Sequence, residues 1–302
     1  MPIRSWGAFL LLGTVWGSSF LWIKLALVEL GPFTLVGLRL LFGALGMALV
    51  LWARPTIFPK DRRIWGMLAL MGLTNTALPF VLISWGQTSI DSGVASILNS
   101  TTPLFTLVIA HFFLDDEHMS VPRAIGLVVG FVGIFLLFSR DVGSDGFRTG
   151  LLGQAAVLTA AISYAGSSVF ARRAFRNIPL LVQASVPLFF ADTLIWVGAF
   201  SLEAPVSLPH LPITWFSLAW LGLLGSCLAY LLYFYLLTQV GSTRTTLVTY
   251  MFPVIGIGLG TLFLGEVLDG RLVLGALLVV AGIGVVNWKP RTKDRGHSGA
   301  VS

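Results

Sequence analysis

Residues 99–117 read NSTTPLFTLVIAHFFLDDE, with four hydrogen-bonding side chains and a proline at the head of a run as apolar as a lipid tail. In isolation the pattern suits a loop followed by a buried strand. The surrounding chain excludes that reading. Of its 302 residues 56% are apolar and only 11% are charged, and the mean hydropathy is +0.89, far outside soluble averages. The segment therefore lies in a membrane, and its polar head needs a partner there.

A window of about 20 residues, the length that crosses the hydrocarbon, finds ten spans. They lie near Trp6–Val28, Phe33–Ala53, Ile64–Gly86, Ser92–Leu114, Pro122–Ser139, Leu151–Phe170, Leu180–Phe200, Ile213–Thr238, Ser242–Gly265 and Leu272–Trp288. Segments this long, without period-two alternation, are helices rather than barrel strands. The first span lacks a small-x-small cleavage site and outruns the apolar core of a signal peptide, so it reads as a retained helix. With one cysteine, Cys227, no internal disulfide framework or multi-cysteine metal site is expected. No cofactor is expected either.

The net charge of +6 is a record of topology. With a cytoplasmic N-terminus, 14 of the 19 basic residues fall on the cytoplasmic side, while Lys24, Arg140, Arg148 and Arg271 face the other and Arg39 lies within a span. This positive-inside pattern puts both termini in the cytoplasm. It leaves the lipid bilayer as the partner and gives no reason to invoke a nucleic acid.

The chain repeats itself. WGSSFLWIK (16–24) is echoed by AGSSVFARR (165–173) at an offset of 149, and SGVASILNSTTPLFTLVIAHFFLDDE is echoed by STRTTLVTYMFPVIGIGLGTLFLGE at an offset of 150 that closes to 149. Gly126–Leu137 likewise matches Gly275–Val286. Two five-helix units follow, over 6–139 and 150–288, with a disordered cytoplasmic tail over 289–302. Because five is odd, the second unit enters the membrane from the opposite side. Inverted repeats of this kind underlie alternating-access carriers, which hold a small-molecule solute near mid-depth.

The polar head of the opening stretch now has a use. Ser92, Ser96, Asn99, Pro103, Thr106 and Ala110 recur at steps of three and four, which places them on one helical face. Ser242, Thr246, Thr249, Pro253, Gly256 and Gly260 repeat the pattern. Both stripes are expected to line a wet cavity, with Gly256 and Gly260 serving packing and Pro103 and Pro253 serving as gates. In the first and sixth spans Thr14 and Ser18 map onto Ser163 and Ser167. Trp16, Phe80, Tyr164 and Tyr230 would supply an aromatic wall, with Asn75 and Pro79 on a polar or kinked face of the third span. Such a pocket suits an amphipathic or aromatic solute.

Charges within the spans are few. Asp192 is a candidate proton carrier or cation partner, and Arg39 or Lys24 could pair with it or take a substrate carboxylate. Glu117 and Glu266 sit at equivalent ends of the two units, where gating or capping is expected.

The segments WGSSF, GLRL, LNSTTPLFTLVIAHFFLDDE and FPVIGIGLGTLFLGE resemble the EamA-type repeat of the drug/metabolite transporter superfamily over nearly the whole chain. Within it the sequence is most similar to bacterial inner-membrane exporters of amino acids and metabolites. That resemblance implies a cavity built by helices one to four and six to nine, with five and ten outside it. It also implies a lining that includes Pro79, Phe80, Asn99, Thr101 and Tyr164. Export of aromatic or hydrophobic amino acids is the leading expectation, and broad drug/metabolite efflux the alternative. A channel would need a continuous polar lining, and an intramembrane enzyme would need a motif such as HExxH, GxSxG or a close pair of aspartates within the membrane, none of which is present. Proton coupling, and monomer against homodimer, stay open at the level of sequence.

Overall fold

The computed structural model describes residues 2–115, 119–141 and 147–287. Glu117 and the tail from residue 289 therefore lie outside the described residues. Ten helices follow in chain order: α1 Ile3–Ala26, α2 Pro32–Ala53, α3 Arg62–Gly86 and α4 Ser92–Phe113, α5 Val121–Phe138, α6 Phe147–Ala174, α7 Leu180–Leu202, α8 Pro212–Val240, α9 from Ser242 to Leu264 and α10 Gly270–Val286. Among the described residues, nine of these spans are long and apolar enough to cross a membrane, and α10 is shorter at 17 residues. Short connections make successive helices antiparallel. One end of the bundle thus holds the start of α1 and will be called the N-terminal end; the other holds the start of α2.

Four helices leave α geometry near mid-length. Helix α3 contains a π segment over Leu73–Ala77, and α8 contains one over Trp220–Leu228. Helix α4 breaks at Thr101 just before Pro103, and α9 tightens into a 3₁₀ turn over Leu247–Tyr250. The break in α4 follows from proline, which withholds an N–H and crowds the preceding turn. The π segments push carbonyls out of the helical ladder. The sequence offset of 149 relates the two π segments to each other, and the α4 break to the α9 turn.

Glycines set how closely the helices cross. A Cβ on Gly282 of α10 would stand 2.5 Å from the backbone nitrogen of Gly130 and 2.6 Å from the carbonyl oxygen of Gly126, both on α5. Gly133 meets the carbonyl of Gly275 in the same way, at 2.8 Å. Helices α2 and α8 cross at Gly43 and Gly222, where a Cβ on Gly222 would stand 2.5 Å from the Arg39 carbonyl oxygen. Backbone cannot move aside as a side chain can, so these contacts require glycine.

Gly282→Ala should accordingly lower the melting temperature in detergent, with a cost on the order of 1–3 kcal/mol for overpacking. Gly284→Ala, whose Cβ would meet nothing within 4 Å, should leave it unchanged. Equal melting temperatures for the two variants would show that the α5–α10 crossing is looser than described.

Candidate functional site

A cavity of about 1030 Å³ runs from mid-depth to the N-terminal end. Its inner end is formed by Phe20, Ile23, Arg39, Phe80 and Ile83, and its middle by Trp16, Asn75, Asn99, Tyr164, Gly225 and Tyr230. Arg172, Arg176 and Asn177, all exposed, line the mouth with Arg123 and Asn287. The cavity therefore opens at the end where the chain begins. Trp16 anchors the aromatic wall, edge-on to Tyr230 at 6.3 Å and to Phe252 at 6.2 Å between ring centroids, an arrangement that aromatic rings favour. Among the described residues the wall carries four arginines and no aspartate or glutamate.

The π segments position this wall. Asn75 of α3 and Gly225 of α8 both lie within them and face the cavity. Their displaced backbone is bonded from α1 and α6. The Ser163 hydroxyl donates to the Thr74 carbonyl at 2.6 Å, and the Trp16 indole N–H donates to the Gly225 carbonyl at 3.1 Å. Side chains add to both clamps: Ser167 donates to Thr74 Oγ1 at 2.8 Å, and the Trp220 indole donates to Ser18 Oγ at 3.1 Å. Ser18 and Ser167, which the offset of 149 relates, each bond the π segment of the opposite half.

Arg39 is the only residue of α2 on the wall among those described. It is 5% exposed. Its Nε donates to Ser226 Oγ at 3.1 Å, and its guanidinium carbon lies 3.8 Å from the centre of the Phe80 ring, within cation–π range. Asn99, 9% exposed, presents a buried Oδ1 that has no protein partner.

Beyond the inner end, polar contacts close the bundle. Lys24 donates to the carbonyls of Gln87 at 2.6 Å and Ile90 at 2.8 Å. The Glu266 carboxylate accepts the N–H groups of Ser92 at 2.6 Å and Gly93 at 2.9 Å, at the start of α4. Gly265 has φ +67°, a left-handed turn that glycine adopts without strain and that carries Glu266 back toward α4. Glu203 accepts from the N–H groups of Phe33 and Thr34 at the start of α2, both at 2.8 Å. Glu29 accepts from His210 and Leu211 N–H and from the Thr214 hydroxyl. Arg140 bridges Asp91 at 2.8 Å and also pairs with Asp269. Helix N-termini carry unpaired N–H groups and partial positive charge, so these carboxylates are well matched to them.

Two of these acids are shifted. The Thr214 hydroxyl bond, joined by the backbone bonds from His210 and Leu211, holds Glu29 below its ordinary 4.5. For Asp269 burial works upward, but the Leu272 N–H and Arg140 outweigh it and hold the group below its ordinary 3.8. A depressed carboxylate contributes stability above its unfolded value and loses it as the pH falls through the folded one. Both contacts are therefore intact at neutral and mildly acidic pH.

Residues 5–139 and 151–288 each match the EamA-like transporter family. The chain belongs to that family. It is thus a multi-pass membrane transporter of small molecules in the drug/metabolite transporter superfamily, and not an enzyme. An uncharacterized transporter, YoaV, of Bacillus subtilis is 28% identical, with 89% of this chain and 91% of that one covered. A probable amino-acid metabolite efflux pump of Salmonella typhimurium is 26% identical, with 91% of each covered. A solved crystal structure shares the fold at a TM-score of 0.67 and 19% identity, covering 95% of this chain and 98% of that one.

Within this EamA-like transporter the expected site residues divide. Trp16, Asn75, Phe80, Asn99, Pro103, Tyr164, Tyr230 and Thr249 face the cavity; Ser18, Pro79, Thr101, Ser167 and Pro253 do not. Ser18 and Ser167 are used in the π clamps, and Thr101 returns its hydroxyl to the Leu98 carbonyl. The α4 stripe splits at mid-depth. Asn99, Pro103, Thr106 and Ala110 line the cavity, whereas Ser92 and Ser96 are fully buried against Gly260 and Gly256 of α9. Helices α5 and α10 reach the cavity only at its mouth, through Arg123, Val286 and Asn287.

The expected pairing of Asp192 with Arg39 or Lys24 is overturned. Asp192 stands off the cavity wall with its Oδ1 buried and without a hydrogen-bond partner, while Lys24 donates to two backbone carbonyls and Arg39 donates to Ser226 and rests on Phe80. Trp196 packs onto Gly37 of α2, and Arg39, two positions on, points about 200° away around the helix. The π segments were not foreseen, because no residue type demands them. The wall arginines Arg123, Arg172 and Arg176 were counted as topology alone.

If these carboxylates hold the closed end shut, Ile23→Cys in a Cys227→Ser background should react with an impermeant thiol reagent from the N-terminal side only. Adding Glu266→Ala should raise labelling from the opposite side severalfold. With rates normalised to denatured protein, labelling from that side should stay low from about pH 8 to about pH 5, because both depressed carboxylates remain ionised there. A rise within that window would assign the closure to a different group.

Proposed function

We propose that the protein exports amino acids with aromatic or hydrophobic side chains, and related metabolites, across a bacterial inner membrane. The observation that carries this reading is a large aromatic cavity open at one end of the bundle and closed by hydrogen bonds at the other. A carrier needs such an asymmetric state and its converse. In this reading the units over 6–139 and 150–288 are inverted copies that rock against each other, with both termini in the cytoplasm and the breaks near Pro103 and Pro253 flexing as gates. The state described is then the one that loads from the cytoplasm.

The Salmonella typhimurium relative, a probable amino-acid metabolite efflux pump, supports an amino-acid cargo. Trp16, Tyr164, Tyr230 and Phe80 offer ring faces and edges to an aromatic side chain. Asn99 Oδ1, buried without a partner, offers an acceptor to a polar group of the solute. Broad drug/metabolite efflux is the second reading, favoured by the breadth of the cavity. Asp192 is not proposed as the proton site, because it stands off the cavity wall.

Labelled phenylalanine should enter proteoliposomes saturably. Asn99→Ala should reduce transport efficiency about tenfold, the effect of one lost buried hydrogen bond. Asp192→Asn should retain both flux and any dependence on a pH gradient. Loss of gradient dependence in Asp192→Asn would restore that acid as the coupling site, and absence of flux for every amino acid tested would overturn the cargo.

A further inference from the structure

Among the described residues, the cavity holds a buried cation that faces no acid. Among the described residues Arg39 makes one hydrogen bond, from Nε to Ser226, and rests its face on Phe80. A guanidinium has five N–H donors. The four on its terminal nitrogens have no hydrogen-bond partner among the described residues, and neither nitrogen is sealed from the cavity. One of them, Nη2, lies 3.7 Å from where a Cβ on Gly225 would stand, beside the Trp16 clamp. Keeping a charge 95% buried at mid-membrane is costly unless something compensates it. The expected acid, Asp192, is turned away, and no described wall residue is acidic.

We propose that Arg39 receives the anionic head of the solute, and that the cargo is a monocarboxylate with an apolar or aromatic body. The inference rests on the carrier reading above and sharpens it. One guanidinium matches one negative charge, and its planar fork matches the two oxygens of a carboxylate. Phe20, Ile23, Phe80 and Ile83 surround it at the inner end, where an apolar body fits and a second charge does not. An ammonium group finds only neutral acceptors there, such as Asn99 Oδ1. An amino group is therefore accepted but not required, and an amine without a carboxylate is excluded.

Three solutes of one shape separate these possibilities: 3-phenylpropionate, phenylalanine and phenethylamine. Each is added to the purified full chain in detergent, and binding is read from the rise in melting temperature. The two carboxylates should stabilise the wild type, and phenethylamine should not. Arg39→Gln should weaken carboxylate binding roughly ten- to hundred-fold, the loss expected for a charge-assisted hydrogen bond. Arg39→Lys, which keeps the charge and loses the fork, should fall between them. Phenethylamine binding as tightly as phenylpropionate to the wild type overturns the proposal even if Arg39→Gln does not fold. So does carboxylate binding that is unchanged in Arg39→Gln, or no stabilisation by either carboxylate. Saturable flux of neutral or cationic solutes in proteoliposomes, with no carboxylate binding, would sink this inference and leave the carrier standing.

Discussion

A carbonyl released from its helix inside a bilayer has no water to turn to, and the site is organised around two of them. Thr74 and Gly225 sit in the π segments of α3 and α8, with their oxygens bonded by Ser163 and Trp16 from helices of the other half. Satisfying these atoms ties the halves together at mid-depth. It also aims Asn75 and the Gly225 backbone at the cavity, and orients the Trp16 indole so that its edge meets Tyr230 and Phe252. The irregular backbone is thus the scaffold of the wall and not a defect beside it.

The same logic separates the two ends. Toward the N-terminal end the helices spread and the side chains along α4 face open space. Toward the other end small residues bring α4 onto α9, with Ser92 and Ser96 pressed against Gly260 and Gly256. One continuous stripe therefore serves two purposes. Its small members allow close approach, and its larger polar members, Asn99 and Thr106, begin where approach stops.

The helices and the internal repeat were legible in the sequence because a bilayer imposes length and apolarity on every span, and duplication leaves matching offsets. Much of the aromatic wall was legible too: Trp16, Phe80, Tyr164 and Tyr230 all reach the cavity. What could not be read was rotation about each helix axis. Asp192 and Arg39 look like partners on a hydropathy plot, yet the packing of Trp196 on Gly37 turns them apart. The paired serines of α1 and α6 stood out as an echo, but their partners are backbone displaced by π turns, which leave no mark in residue type.

Alongside close apolar and small-residue packing, the closure at the far end carries carboxylates seated on backbone N–H groups, with Glu266, Glu203 and Glu29 each reaching a helix start. Water offers those same N–H groups and carboxylates equivalent bonds, so separating them exchanges partners at a net cost of about 1.5–3 kcal/mol per bond to a charged group. A seam of interlocked apolar side chains would instead expose fresh hydrocarbon on parting. In the carrier proposed above, these polar contacts would form the part of the closure that wetting can release, while the apolar packing beside them would set the larger cost of parting.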